Sequence, residues 1–423
     1  MEYNFKLRNA FKLYNLAWRA AIPLLRLNSR LTDGWEQRIS GEKLTSADLW
    51  IQAASAGESY IAQQILNNLK TSHSVKVLLT TNTAQGMEIL KSSIEDIGKR
   101  DSNICAEATY FPFDSPLAME EAVRKVRPKV MILLEMEIWP GLIKALKEHG
   151  CEIFIINGRI TEKSLKKYMK FPWLWNYLTP DNILAITKED AERFRQLFAK
   201  SHIDIMPNIK FDRISFNARP ESKFAPLGDF INDNNPFVVL ASVRQEEEGD
   251  VEKIIKHIKA VYPSIVIGLF PRHKHRIRAW KELLRKKGYT WELRSKVKSR
   301  VAGGTVILWD IFGELTAAYS IASSAFVGGS LRPLGGQNFL EAVSCGVVPV
   351  IGPHWNDFFW VGEEIFELGL AKQASGWKEV ANIIVQSLNN LPSRDKTLKK
   401  CLMYIKEHQG GADMACRLIE DIL

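Results

Sequence analysis

Several short stretches of this chain combine residue types suited to moving a proton or holding an anion. In "WIQAASAGESYIAQQIL" an apolar run passes through small residues into a helical pattern, which puts Glu58 at a helix start. That carboxylate could complement the helix dipole or act as a general base. A helix N-terminus lowers a carboxylate pKa, so a base there needs burial or a nearby acid to raise it again. In "GGSLRPLGGQNFLEAVSCG" a buried strand leads through a glycine loop into a helix, with Asn338 as its N-cap, Glu341 at the third helical position and Gly346 at its end. Asn338 and Glu341 could form a capping box. Alternatively Glu341 accepts hydrogen bonds from a ribose diol while the loop and helix start meet a phosphate.

Further groups converge on strand ends. "FPRHKHR" follows "SIVIGL", which puts Arg272 and His273 at the carboxyl end of a strand, where a nucleotide phosphate would be met. From Pro271 to Arg300 there are twelve Lys/Arg against two acids, mostly a solvated helical face. In "WDIFGELTAAY" a strand turns at Gly313 into a helix whose first-turn amides could contact a base or phosphate; Glu314 could equally favour the helix dipole. "EMEIWPGL" sets Glu135 and Glu137 two apart, on one side if the strand persists. "INGRITEKSLKKY" places Arg159 and Ser164, and "NIKFD" places Lys210 and Asp212, at neighbouring exits.

Short apolar strands separated by helical text must position these groups. "DLWIQAA", "VKVLLTT", "VMILLEME", "EIFIIN", "NILAIT" and "IDIMPNI" form one series, and "FVVLAS", "SIVIGLF", "TVILW", "SAFVGGS" and "VVPVIG" a second. The alternation predicts parallel βαβ units, hence two doubly wound domains with ligands at the carboxyl ends of the strands, across a cleft. The boundaries read from the text are a segment over 1–42, an N-terminal domain over 43–212, a Pro/Asn/Asp/Ser-rich linker over 213–235 and a C-terminal domain over 236–423 whose last helix could return to the first domain.

The 423 residues exceed one growing core, and the formal charge of +9 favours an acidic partner without choosing among them. The five cysteines form no CxxC pair and no zinc spacing, so they read as reduced thiols, and no metal or cofactor is predicted. The first thirty residues hold six Lys/Arg against one acid, with charges interrupting every apolar run well short of a membrane span. On a helix, Leu7, Phe11, Tyr14, Trp18, Ile22 and Leu25 share one stripe, with basic residues on another. This suits a helix lying in an anionic membrane surface, or one docked on its own domain. Nucleic-acid binding would interleave aromatics with a basic stripe. Here the aromatics gather in the N-terminal segment and in "FPWLWNYL".

The ordered set "ASAGE", "TTNTAQG", "FPFDSP", "EMEIWP", "NGRITEKS", "NIKFD", "ASVRQEEE", "PRHKHR", "FGEL", "FVGGSLRPLGGQNFLEA" and "GPHWNDF" resembles the 3-deoxy-D-manno-octulosonic acid (Kdo) transferases of lipopolysaccharide synthesis, from about Trp50 to Phe358. The resemblance implies an α/β chain of GT-B architecture. Its expected activity is an inverting transfer of Kdo from CMP-Kdo to a lipid A precursor, lipid IVA, at the cytoplasmic face of the bacterial inner membrane. It implies Glu58 as general base and a CMP site of Arg272, His273, Gly313, Glu314, Leu315, Asn338 and Glu341. Ser55, Gly57, Glu137, Arg159, Lys210, Gly335, Gly336 and Gln337 are expected near the substrates. Two segments depart from the family pattern: Gln337 stands where a histidine is usual, and Ile311 and Phe312 replace the usual Thr-Met of the segment before Gly313. Another GT-B enzyme using a UDP-sugar and an idle nucleotide-binding or nucleic-acid-binding protein are the competing readings.

Overall fold

The structure is a computed structural model that describes residues 2–41, 43–214, 227–231 and 235–423, so much of the expected 213–235 linker lies outside the described residues. The chain divides into two units, Met1–Ile214 with His408–Leu423, and Ser215–Glu407.

The first unit is built on β1 (Leu49–Ala53), β2 (Val75–Thr81), β3 (Ile104–Tyr110), β4 (Val130–Leu134), β5 (Glu152–Gly158), β6 (Asn182–Ala185) and β7 (His202–Ile205), in the spatial order β3-β2-β1-β4-β5-β6-β7. Its strand pairs are all parallel. A core lies on each face of this sheet. Trp50, Met131 and Leu133 pack into one, and their neighbours Leu49, Ile51 and Ile132 into the other. The period-two alternation of strands explains that division, and burial on both faces explains the unbroken apolar runs.

The second unit repeats the plan with β8 (Phe237–Val243), β9 (Val266–Pro271), β10 (Trp291–Leu293), β11 (Val306–Leu308), β12 (Ser324–Val327), β13 (Pro349–Ile351) and β14 (Lys372–Gln373), ordered β10-β11-β9-β8-β12-β13-β14. These pairs are parallel as well. The α/β doubly wound class is therefore observed twice. Strands β3, β10 and β14 escape a search for apolar runs. β3 interleaves the exposed Cys105 and Glu107 with partly buried residues, while the two others are short edge strands.

The last helix, Gly411–Glu420, returns to the first unit, the option left open by the sequence, so the C-terminal domain ends before it. Its Ala412, Ala415, Cys416 and Ile419 share a core with Ile61 and Ile65. The Asp212 carboxylate accepts from the Gly410 and Ala412 N–H groups at 2.7 Å each, capping that helix across 198 and 200 residues of chain.

Of the two readings of the helix Glu2–Leu25, the docked one holds for the predicted stripe: Leu7 and Phe11 are buried, Trp18 lies 5.7 Å from Phe113, and Tyr14 donates to Asp114 Oδ2 at 2.9 Å. The solvent face carries other apolar residues, Leu13, Leu16 and Leu24, each more than 60% exposed. Among the described residues no helix is long and apolar enough to cross a membrane.

Candidate active site

In the first unit, β1 and β4 are adjacent although the chain visits β2 and β3 between them. Their carboxyl ends form the crevice where doubly wound sheets bind ligands. Just beyond β1, Ser55 caps the helix Ala56–Asn68, its Oγ accepting from Glu58 N at 3.3 Å and donating to Glu58 Oε1 at 2.9 Å. Glu58 Oε2 accepts from Ala54 N at 2.6 Å. The carboxylate thus serves the helix start, and it is also only 9% exposed. Burial, reinforced by the charge of Glu135, pushes its pKa up to about 7 against the opposing pull of Ser55, Ala54 and Lys210. Gly57 sits in the first turn with space for a side chain.

Strand β4 ends at Leu134, and Glu135 turns into the left-handed region at φ 56°. The expected parallel pointing of Glu135 and Glu137 therefore fails. Glu135 forms an ion pair with Lys210 at 2.5 Å, whereas Glu137 accepts from Trp139 Nε1 at 2.7 Å. Burial, with the charges of Glu58 and Glu135, raises the Glu137 pKa to about 7. The Glu137 charge also adds to burial in raising Tyr168. Lys210 arrives on the short turn Ile209–Phe211, which is tied to the sheet by Ile209 N donating to Asn157 Oδ1 at 2.9 Å. Arg159, at the end of β5, is half-buried and makes no ion pair among the described residues. Ser164 N is taken up by the Thr161 cap of the next helix.

The second unit presents cations rather than acids. Arg272 and His273 follow β9 and are exposed, with Arg272 N donating to Val243 O at 2.9 Å. His273 stacks on His275 at 5.5 Å, and desolvation together with Arg244, His275 and Arg272 lowers its pKa from the ordinary value. A two-pronged pair from Arg276 to Glu248, at 2.8 and 2.6 Å, anchors this turn.

Three expected roles change here. Glu314 is buried, clasped by Arg294 at 2.8 and 3.0 Å and by Trp309 Nε1 at 2.9 Å, so its side chain holds the fold and only the backbone of Gly313, Glu314 and Leu315 is presented at that helix start. Asn338 is not the N-cap of the next helix. The helix runs Leu340–Ser344, is entered through Phe339, and has no side-chain cap. No Asn338–Glu341 capping box forms, because Glu341 lies one residue into the helix and accepts from the Thr316 hydroxyl instead. Gly335 and Gly336 both adopt φ 87°, and side chains there would press on Asp357 and Trp355. Gln337 turns its amide onto Gly336 O at 2.8 Å.

Residues 13–213 match the family model described as 3-Deoxy-D-manno-octulosonic-acid transferase (kdotransferase). The chain is 27% identical over 382 residues to the 3-deoxy-D-manno-octulosonic acid transferase of Haemophilus influenzae, covering 89% of this chain and 87% of that protein. It is 28% identical over 388 residues to the enzyme of the same description from Bordetella pertussis, covering 89% and 88%. The chain is thus similar over most of its length to Kdo transferases, and residues 13–213 carry that family's domain. A solved UDP-N-acetylglucosamine 2-epimerase matches with a TM-score of 0.53 at 13% identity, over 86% of this chain and 95% of that one. This likeness concerns fold alone, and the fold is GT-B.

Two of the motifs that carry the resemblance do structural work in this chain. The Asp of "FPFDSP", Asp114, accepts from Gly141 N at 2.9 Å and Leu142 N at 2.7 Å, capping the helix that follows Trp139. Burial raises that carboxyl's pKa to about 7. The Asp of "NIKFD" caps the C-terminal helix as described. Sequence reasoning missed Glu135 as the partner of Lys210, although the Glu-x-Glu spacing flagged it, and missed Glu247, which the acidic run "RQEEE" concealed among solvent-type neighbours. Among the described residues no group of three or more His, Cys, Asp or Glu is spaced to hold a metal ion.

Proposed function

We propose that this protein transfers Kdo from CMP-Kdo to lipid IVA with inversion at the anomeric carbon. The observation that carries the reading is Glu58, a buried carboxylate at the sheet's switch point whose pKa is about 7 and therefore suits a base near neutral pH. Glu58 takes the proton of an acceptor hydroxyl, the hydroxyl oxygen bonds to the anomeric carbon, and CMP departs from the opposite face with the bonding pair. CMP leaves as a stable anion, received by Arg272, His273 and the backbone around Gly313–Leu315, while Asn338 and Glu341 hold the ribose. The step as written uses no cofactor, metal or general acid. Glu137, Arg159 and Lys210, with Ser55 and Gly57, line the acceptor side, and Gly335, Gly336 and Gln337 the sugar-nucleotide side.

The acceptor is a lipid, so the chain works at the cytoplasmic face of the inner membrane and needs no nucleic acid. The surface that meets the lipid is the outer stripe of the N-terminal helix, Leu13, Leu16 and Leu24, flanked by Lys12, Arg19 and Arg26, because the opposite stripe is docked. Replacing those three leucines by Ser is expected to release the folded protein from anionic vesicles. Unchanged binding in a flotation assay removes this face from the membrane contact.

Mass spectrometry of lipid IVA after incubation with the protein and freshly generated CMP-Kdo tests the reaction. Gain of whole Kdo units with wild type, and little or none with Glu58→Gln, is expected. No gain by wild type that still binds CMP sends the search to other acceptors and sugars.

A further inference from the structure

The crevice of the second sheet opens between β8 and β12, adjacent strands that are far apart in sequence. In open α/β sheets this position receives ligands, and successive backbone N–H groups there form a concavity suited to an anion. In this chain the concavity already holds one. Glu247 is fully buried, on the turn that follows β8. Its Oε2 accepts from Gly329 N at 2.5 Å and Arg244 N at 3.3 Å, and its Oε1 from Ser330 N at 2.9 Å and Leu331 N at 2.8 Å. No Lys or Arg pairs with it among the described residues. A buried carboxylate without a cation is expensive unless hydrogen bonds replace its water, and here backbone amides are the replacement.

The wiring continues outward from that contact. Gly329 O accepts from Gly336 N at 2.8 Å, Ser330 O accepts from His354 N at 3.0 Å, Gly335 O accepts from Asp357 N at 2.9 Å, and Ser330 Oγ accepts from Gly352 N at 2.8 Å. A Cβ at Gly328 would stand 2.9 and 3.0 Å from Ser242 O and Ala241 O and 3.1 Å from Glu247 Oε2, so glycine there lets the exit of β12 lie close against β8 and this carboxylate. The N–H groups of residues 329–331 therefore point inward and are spent.

We propose that Glu247 is an internal anion that fills the amide nest after β12 and so positions the Gly335–Glu341 segment, with Arg272, to receive the sugar nucleotide. It is a positioning residue, acting through the loop it holds. The inference rests on the reading that this unit binds a CMP-sugar.

Hydrogen exchange read by mass spectrometry on the wild-type full chain, with and without CMP, gives the first test. The amides of Gly329, Ser330 and Leu331 are expected to exchange slowly in free protein and to change little with CMP. Fast exchange without ligand, or new protection there on adding CMP, overturns the proposal. Loss of charge-assisted hydrogen bonds predicts that Glu247→Gln weakens CMP binding about tenfold or more by calorimetry. In Glu247→Gly, added acetate is expected to restore part of that affinity by reoccupying the nest, a response that a purely structural role does not give. A folded Gln variant with wild-type CMP affinity sinks the idea; if that variant does not fold, the wild-type exchange pattern decides. Wild type that fails to bind CMP overturns the nucleotide reading instead, and slow exchange of the three amides still tests the nest.

Discussion

Both sheets are parallel and doubly wound, with different strand orders, and at their switch points they treat buried acids in opposite ways. At the switch point of the first, Glu58 receives two hydrogen bonds besides its helix environment and Glu137 receives one, and burial with like charges raises both carboxyls to about 7. At the switch point of the second, Glu247 receives four backbone N–H bonds and serves as part of the scaffold. The groups left exposed there are the basic residues Arg272 and His273. In the proposed mechanism the under-satisfied Glu58 is a reagent, whereas the fully satisfied Glu247 is a brace. The contrast is one of hydrogen-bond supply, because each acid follows a strand that borders the switch point of a parallel sheet.

The strongest way to break this contrast is Glu58→Gln. Loss of a general base lowers turnover by roughly 100- to 10,000-fold, while CMP affinity stays at the wild-type level. Turnover near wild type in a single-turnover assay removes Glu58 from the chemistry. The same variant carries a stability signature. The folded pKa of Glu58 lies above its ordinary 4.5, so the folded state binds the proton more tightly and wild type loses stability as pH rises from 4.5 to about 7. The melting temperature of Glu58→Gln relative to wild type should therefore climb across that window, and a constant difference contradicts the assigned shift.

Next in size, Arg272→Ala should weaken CMP binding by about 10- to 100-fold, the worth of a charge-assisted hydrogen bond, and leave the pH dependence of turnover in place. A moved pH profile with unchanged CMP affinity reverses the assignment of roles between the two units.

Smaller still are shifts of the acidic limb of the kcat profile. Removing the Glu135 charge by Glu135→Gln relieves a repulsion on ionised Glu58 and moves the limb to lower pH. Lys210→Met removes an attraction and moves it higher, each on the order of one unit. Equal movement in one direction means that Glu58 does not control the limb. The smallest effect is expected for Tyr14→Phe, which deletes one hydrogen bond to Asp114 behind the Glu137 segment and should cost about 1 kcal/mol in a denaturant titration. A loss of several-fold in kcat with no loss of stability would instead tie the N-terminal helix to the chemistry.

Much of this arrangement is legible in the text of the chain. Continuous apolar runs such as "VMILL" and "FVVLAS" become the doubly buried parallel strands, since burial on both faces demands such runs locally. Strand-then-turn logic puts Glu58, Arg272, Gly313 and Lys210 near strand ends, because a residue following a strand stays close to its end. The ordered motifs point to the same proteins that the chain proves similar to. Tertiary structure decided what depends on distant partners: that Glu135 meets Lys210 across 75 residues and Glu247 meets Leu331 across 84. It decided that Asp212 pulls the C-terminal helix into the first unit, that Glu314 is clasped by Arg294, and that the N-terminal helix buries Leu7 and Phe11 while exposing Leu13 and Leu16. Periodicity reveals that a helix has an apolar stripe, and here it has two. Which stripe is covered, and which carboxylate is satisfied, follows from complementary surfaces and hydrogen-bond donors that come together only when the sheets are assembled.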